Sequence, residues 1–397
     1  MRRGEGSLEA HLLEPVGHTD LEGAGDAMGL ALYDGYVYVG HSGRSGVATS
    51  VVDVRDPHRP RVARQIPKDE GTRSAKAAVA GGLLVVPCER DLVWGGPPFV
   101  RPVGGAERWN PGLRVYDLSN PEDPREVGFF PVPGAGVHRP TWVDPPYAYV
   151  SASDEGYTDQ FLRVVDLSDP AGPREAGRWW YPGMWTAGGE RPRFPAGRRY
   201  ALHHALVDRE RALLYAGWWD AGLVILDIAD VRRPQLVCNL NWGPGQSGAT
   251  HTALPIPGRD LVVVTDECVV PRCEGDIQKQ VRVLDVSDPY SPRLLSTLPV
   301  PEGDFCRRGG RFGPHNLAER RPHAAFDPER LYLTYFNAGL RVVDIADPAD
   351  PREVAWFIPD PPPGQPAPQV DDVTVGTDGL VYVTDRAGGG LWILRWA

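Results

Sequence analysis

The sequence predicts an all-β fold, a seven-bladed β-propeller of four-stranded antiparallel blades, and three observations carry that prediction. A strand-and-turn unit is written six times along the chain and begun a seventh time. Glycine and proline, 46 and 41 residues, fall at regular intervals as turn punctuation rather than in disordered tracts. The last unit stops one strand short, and the N-terminal segment reads as the missing strand.

The unit is clearest at Leu340 to Val354, LRVVDIADPADPREV. A β-branched run alternating with polar residues reads as a strand. Asp-Pro-x-x-Pro-Arg then forces a turn, because proline fixes φ and cannot donate into a ladder. A second apolar run returns as the partner strand. The copies are SVVDVRDPHRPR from Ser50, LRVYDLSNPEDPR from Leu113, LRVVDLSDPAGPR from Leu162, LVILDIADVRRP from Leu223 and VRVLDVSDPYSPR from Val281, followed by the Leu340 copy.

Before each copy lies another pair of strand-like runs, for example Gly29 to Val39, Ala205 to Ala216, Ala324 to Thr334 and Val373 to Val383. Inner pair plus outer pair makes one blade. The seventh starts near Gln369 and reaches its third strand at Leu391 to Leu394; Leu12 to Gly17, LLEPVG, is expected to supply its outer strand. Residues 1–397 are therefore read as one propeller domain. The aspartates that close the third strands lie from 49 residues apart (Asp117 to Asp166) to 64 (Asp53 to Asp117), longer than the ~40–45 of compact repeats. The additions, such as Arg178 to Tyr200, Glu89 to Pro111, Glu267 to Gln280 and Pro299 to Pro322, all belong on one face, where long loops carry function.

The repeat L-x-V-V-D-x-x-D-P-x-x-P resembles the LVIVD-repeat family of bacterial and archaeal β-propellers across essentially the whole chain. That resemblance implies the fold and says almost nothing of activity. A weaker likeness is to selenium-binding proteins and methanethiol oxidases, through a shared aspartate-proline repeat, and it implies a metal.

A net charge of −10 argues against a nucleic-acid partner. No apolar run of about 18 residues offers a membrane span, and MRRGEGSLEAHLLEPVGHTD has no apolar core of a signal peptide. The cysteines, Cys88, Cys238, Cys268, Cys273 and Cys306, are odd in number and scattered; free thiols in the cytoplasm are expected, with half a zinc site at Cys268 and Cys273 as the alternative.

Four of ten histidines open inner strands of successive blades: His138, His204, His251 and His323. Imidazoles converging from neighbouring blades on the axis would hold a divalent transition metal, Fe, Cu, Mn or Zn. The bland alternative is a set of wet, strand-capping side chains. His203 competes with His204, since adjacent side chains on a strand face opposite ways. Asp372, Glu267 and Lys76 are the candidates for proton handling. The loops are basic, with Arg193, Arg199, Arg308 and Arg311 expected to attract an anion, and aromatic, with Trp94, Trp109, Trp179, Trp180, Trp185, Trp218 and Trp219 among them. Trp185, Trp219 and His315 are expected to touch the ligand.

These readings favour a metal-dependent oxidoreductase acting on a small organic molecule, anionic if the basic loops serve it. A metal-assisted lyase or hydrolase comes next, and a non-catalytic propeller binding a protein partner through its loops is the competing class.

Overall fold

Seven antiparallel sheets stand side by side in a ring, and the inner strand of the first touches that of the last. The structure is a computed structural model that describes residues 8–90, 92–93, 101–102, 110–143, 145–195, 197–243, 248–275 and 277–397. Trp94 and Trp109 lie outside the described residues.

Blade three shows why the repeat folds as it does. Its strands are Val137–Thr141, Tyr147–Ala152, Phe161–Asp166 and Arg174–Trp179, hydrogen-bonded in sequence order. Leu162, Val164 and Val165 of the repeat are fully buried. Asp166 ends the strand by accepting the Ser168 N–H at 2.9 Å, and Arg174, just past the turn, returns to the same carboxylate at 3.0 Å. The side chain thus imitates a backbone turn. The aspartate bond recurs at Asp53, Asp117, Asp227, Asp285 and Asp344.

Blades sit close because small residues meet turns. A Cβ added to Gly128, on the outer strand of blade two, would stand 2.0 Å from the Pro170 carbonyl in the turn of blade three; Gly17 meets Pro57 in the same way.

The ring closes as the sequence predicts. Leu13–Thr19 pairs with Gly390–Trp396 as the outer strand of blade seven. Glu9–His11 goes further and pairs with Arg352–Ile358, the outer strand of blade six, so the N-terminal segment fastens two blades.

Two expectations are corrected. The inner strand of blade six is not the segment that His323 opens. It is formed by residues 315–319, through the Leu317–Leu333 bridge and the Ala318 N–H to Tyr332 carbonyl bond of 2.9 Å; Ala324–Ala325 pairs instead with blade seven. The cysteines are not all free: Cys273 and Cys306 form a disulfide joining two of the inserted loops. The argument from free thiols to a reducing compartment loses its support, and Cys268 and Cys273 do not make half a zinc site. Among the described residues no helix is long and apolar enough to cross a membrane.

Candidate metal centre

The inner strands do not enter the ring straight. In blade three the ladder shifts between Val137 and Arg139, and in blade five between Thr250 and Thr252, leaving His138 and His251 as the extra residues of β-bulges. In blade four both the His203 N–H and the His204 position oppose Gly217. In blade six the His315 N–H donates to the Thr334 carbonyl while the Thr334 N–H donates to Asn316. Four successive blades thus put a histidine at an irregularity of the ladder, where a bulge re-aims its side chain.

The four rings meet. His138 Nε2 is 3.0 Å from His203 Nε2; the His203 and His251 centroids are 4.0 Å apart, and those of His251 and His315 4.4 Å. Glu267 closes the group, 4.0 Å from His251 Nε2 and 3.8 Å from His315 Nε2. His203, His251 and Glu267 each offer a ligand atom within 4.8 Å of the others. A small cavity of about 40 Å³ opens beside them.

Three of the rings are fixed through their far nitrogens. His138 Nδ1 donates to Glu89 at 2.8 Å, His251 Nδ1 lies 2.7 Å from Thr252 Oγ1, and His315 Nδ1 donates to the Asp371 carbonyl at 2.8 Å. This outer support is what orients metal-ligating imidazoles. His203 Nδ1 is buried with no partner. Burial holds His203 and His251 well below the usual imidazole range and lowers His315 to about 3. Burial also lowers His138, with Glu89 opposing. Neutral imidazole is the form that binds metal. Glu89 stays ionised: against burial, which raises its pKa, Arg73 and His138 bring it to about 2.

The donor set fits a first-row transition ion. Bonds of about 2.0–2.2 Å place two ligands of one ion roughly 3–4 Å apart, the range of the Glu267 spacings. Two contacts must change on binding, because Arg139 Nη1 donates to His251 Nε2 at 3.0 Å and the His138 and His203 Nε2 atoms bond each other at 3.0 Å.

His138, His251, Glu267 and His315 come together as neighbours, with His203 in the place expected for His204. His204 faces Thr252 and Glu319, at 3.3 and 3.6 Å, because alternation turns it from the His203 side. His323 is exposed and sits edge-on to Tyr33; it lies in a turn, not at the head of an inner strand. Asp372 and Lys76 belong to a buried charged layer beneath the histidines. Lys76 Nζ is 2.7 Å from Glu319, which Arg321 also binds at 3.1 Å. Asp372 accepts the Leu30 N–H at 3.1 Å. Burial, with Arg139 and Arg321 close by, lowers Lys76 to about 8.

The basic rim mostly disperses. Arg193 is exposed. Arg199 pairs with Asp159 and stacks over Trp219, and Arg308 pairs with Glu9. Arg311 does reach the site, bound to Glu267 at 2.9 Å. Trp219 stands 5.5 Å edge-on from His203, whereas Trp185 packs with Tyr157 and Trp180 and is 39% exposed. The remaining loop aromatics, Trp179, Tyr181, Phe194, Tyr200 and Trp218, pack on one another.

Sequence reasoning missed Glu89 and Arg139. Glu89 had no signal, since it enters from the neighbouring blade. Arg139 did: it is a charged residue within an otherwise apolar inner strand, next to a histidine.

The profile of the LVIVD repeat matches residues 24–63, 136–180, 213–241 and 331–357. No curated protein sequence was matched. Among solved structures, the chain is similar to a hypothetical selenium-binding protein from Sulfolobus tokodaii, at 13% identity and a TM-score of 0.57 over 91% of this chain and 90% of that one. It is also similar to Chaetomium thermophilum Sqt1 bound to the N-terminus of the ribosomal protein L10, at 13% identity and a TM-score of 0.55 over 92% and 82%. At such identities the likeness is one of fold. With its seven blades and its recurring Asp-Pro turns, the chain is a β-propeller that contains LVIVD repeats.

Proposed function

We propose that the protein is a metal-dependent enzyme, an oxidoreductase acting on a small organic molecule at the histidine cluster. The observation that supports this most is the set of buried neutral imidazoles on four bulges, three of them with the far nitrogen anchored, around a carboxylate. His138, His203, His251, His315 and Glu267 would hold the ion; Fe, Cu, Mn and Zn all suit imidazole and carboxylate. Such an ion supplies a Lewis-acidic centre and, for Fe, Cu or Mn, a redox-active one. The chain's own contribution is positional. Glu89 fixes the His138 ring, Arg311 fixes Glu267, and the charged layer of Lys76, Glu319, Arg321 and Asp372 closes the channel below.

Elemental analysis of the purified protein, with His203→Ala and His251→Ala beside His323→Ala, tests the reading. Near-stoichiometric metal that falls in the first two and persists in the third is the expected result. Equal content in all three would sink it.

A second reading, a propeller that binds a protein segment, draws on a larger cleft of about 580 Å³ at the opposite ends of the inner strands, lined by residues such as Leu206, Pro255, Arg259 and Arg320. Absence of metal after equilibration with each of the four ions would favour it.

A further inference from the structure

The cavity beside the histidines is lined by five cationic side chains, and four have a carboxylate of their own. Arg73 pairs with Glu89 at 2.8 Å, Lys76 with Glu319 at 2.7 Å, Arg311 with Glu267 at 2.9 Å and Arg386 with Asp371 at 3.0 Å. The fifth is Arg139. Its exposure is 5%, and its bonds go to neutral groups: Nη1 to His251 Nε2 at 3.0 Å and Nη2 to Asn316 Oδ1 at 2.7 Å. Its Nε is buried without a partner. A guanidinium has five N–H donors and keeps its charge in proteins, so three donors and a full positive charge are left without an answering group. A buried charge in that condition is strongly unfavourable unless something compensates it. Glu319, Asp371 and Asp372 act on Arg139 from farther away, but each is already bound to another cation.

We propose that Arg139 is the anion-binding residue of this site and that the ligand is a small carboxylate monoanion, of the size of formate or acetate, seated between Arg139 and the histidines. This deepens, and rests on, the reading of the cluster as a substrate-binding metal centre. Three features select the class. Before any ion binds, Arg139 is the one uncompensated cation, and a monoanion answers it. The planar fork of arginine matches the two oxygens of a carboxylate. A cavity of about 40 Å³ has room for roughly three or four waters, so the part of the ligand seated there has few non-hydrogen atoms.

The arrangement also makes Arg139 and a metal rivals for His251 Nε2. An ion bound at His251 Nε2 breaks that 3.0 Å bond and frees a further guanidinium donor for the anion, so each ligand should ease the entry of the other.

The test is calorimetric titration with sodium formate, sodium acetate and neutral acetamide, at constant ionic strength. It is run on chelator-treated and zinc-loaded protein, for wild type, Arg139→Met and Arg139→Gln, with Arg352→Ala as a surface control. Metal content is measured in parallel. Acetate or formate should bind wild type and R352A alike, at least tenfold more weakly to both Arg139 variants, and acetamide not at all. Metal content of the Arg139 variants should equal or exceed that of wild type. Wild-type protein that binds neither carboxylate, Arg139 variants that bind them as well as wild type does, or acetamide binding equal to acetate would each overturn the proposal. If R139M fails to fold, R139Q decides by the same criteria. Arg139-dependent acetate binding in a protein that takes up no metal would sink the metal centre and leave the anion site standing. Stoichiometric metal without carboxylate binding would do the reverse.

Discussion

His138 Nε2 and His203 Nε2 approach to 3.0 Å from adjacent blades, although 65 residues separate them in the chain. With His138 Nδ1 donating to Glu89, its Nε2 is the accepting nitrogen, so His203 donates through Nε2 and its buried Nδ1 is left with a free lone pair. The two rings form one unit whose protonation is set by a carboxylate in a third blade.

Glu89 should therefore control metal affinity without touching the ion. Glu89→Gln retains the packing and removes the charge that keeps the His138 Nδ1 proton in place. Outer-sphere changes of this kind weaken metal binding about 10–100-fold, and a chelator competition assay should show that loss. Affinity equal to wild type would mean that His138 is not a ligand. The double variant with His203→Ala should show little additional loss once the ion is gone.

Removal of residues 1–19 should leave the outer edges of blades six and seven unpaired, since Glu9–His11 and Leu13–Thr19 cover them. Exposed strand edges recruit other chains. Light scattering and thermal melting should report aggregation and a lower transition; a truncated protein that melts like the full chain would contradict the two-blade fastening.

Asp26, His41 and Ser50 make a hydrogen-bonded row, with His41 Nδ1 2.9 Å from Asp26 and Nε2 2.9 Å from Ser50 Oγ. The order matches that of a hydrolase triad, but Ser50 is fully buried, so its task is to pin the loops of blade one. His41→Ala leaves a buried carboxylate and hydroxyl short of partners and should cost about 3 kcal/mol in denaturant unfolding. A fluorophosphonate reagent should not label Ser50 in the folded protein.

The turn aspartates should make the fold sensitive to acid in a defined window. Bonds from Arg55 lower Asp53 to about 2, and bonds from Ser287 and Arg293 lower Asp285 to about 2. A folded-state pKa below the unfolded value of about 3.9 means stability that is complete above about pH 4 and lost as pH falls through about 2. Asp53→Asn with Asp285→Asn should lower the urea midpoint at pH 7, and the gap from wild type should close by pH 2. A gap that is constant with pH would show that charge plays no part in the turns.

The disulfide Cys273–Cys306 spans 33 residues, and closing a loop of that length restricts the unfolded chain by about 3–4 kcal/mol. It joins the loop that begins at Glu267 to the one that carries Arg311. Cys273→Ser with Cys306→Ser should lower the melting temperature and raise hydrogen exchange in both loops; unchanged exchange would show that the Arg311–Glu267 pair and the Arg272 N–H to Gly310 carbonyl bond hold them alone.

The ring was legible in the sequence because each blade repeats the same local chemistry, the Asp-Pro turn, and that chemistry acts within a few residues. The site was only partly legible. His138 and His251 stand at the heads of inner strands as expected, but His203 and His315 depend on where the ladder of each blade becomes irregular. That is decided by pairing with the next strand, where Thr334 of blade six faces His315 and Asn316 from well outside the local turn. Arg193 and Arg308 illustrate the opposite error: their charge was visible and their positions were not, and one is exposed while the other serves Glu9.

The bulge at the head of each of these inner strands separates two design problems. In blade seven the same slot holds Asp371 and Asp372, and in blade one it holds Met28 and Gly29. The backbone decides that a side chain will be presented to the axis, and the residue alone decides what is presented. A single codon can therefore exchange an imidazole for a carboxylate or a thioether without altering a strand, a turn or a neighbouring blade. Chemical identity in such a ring can drift rapidly while its architecture stays still.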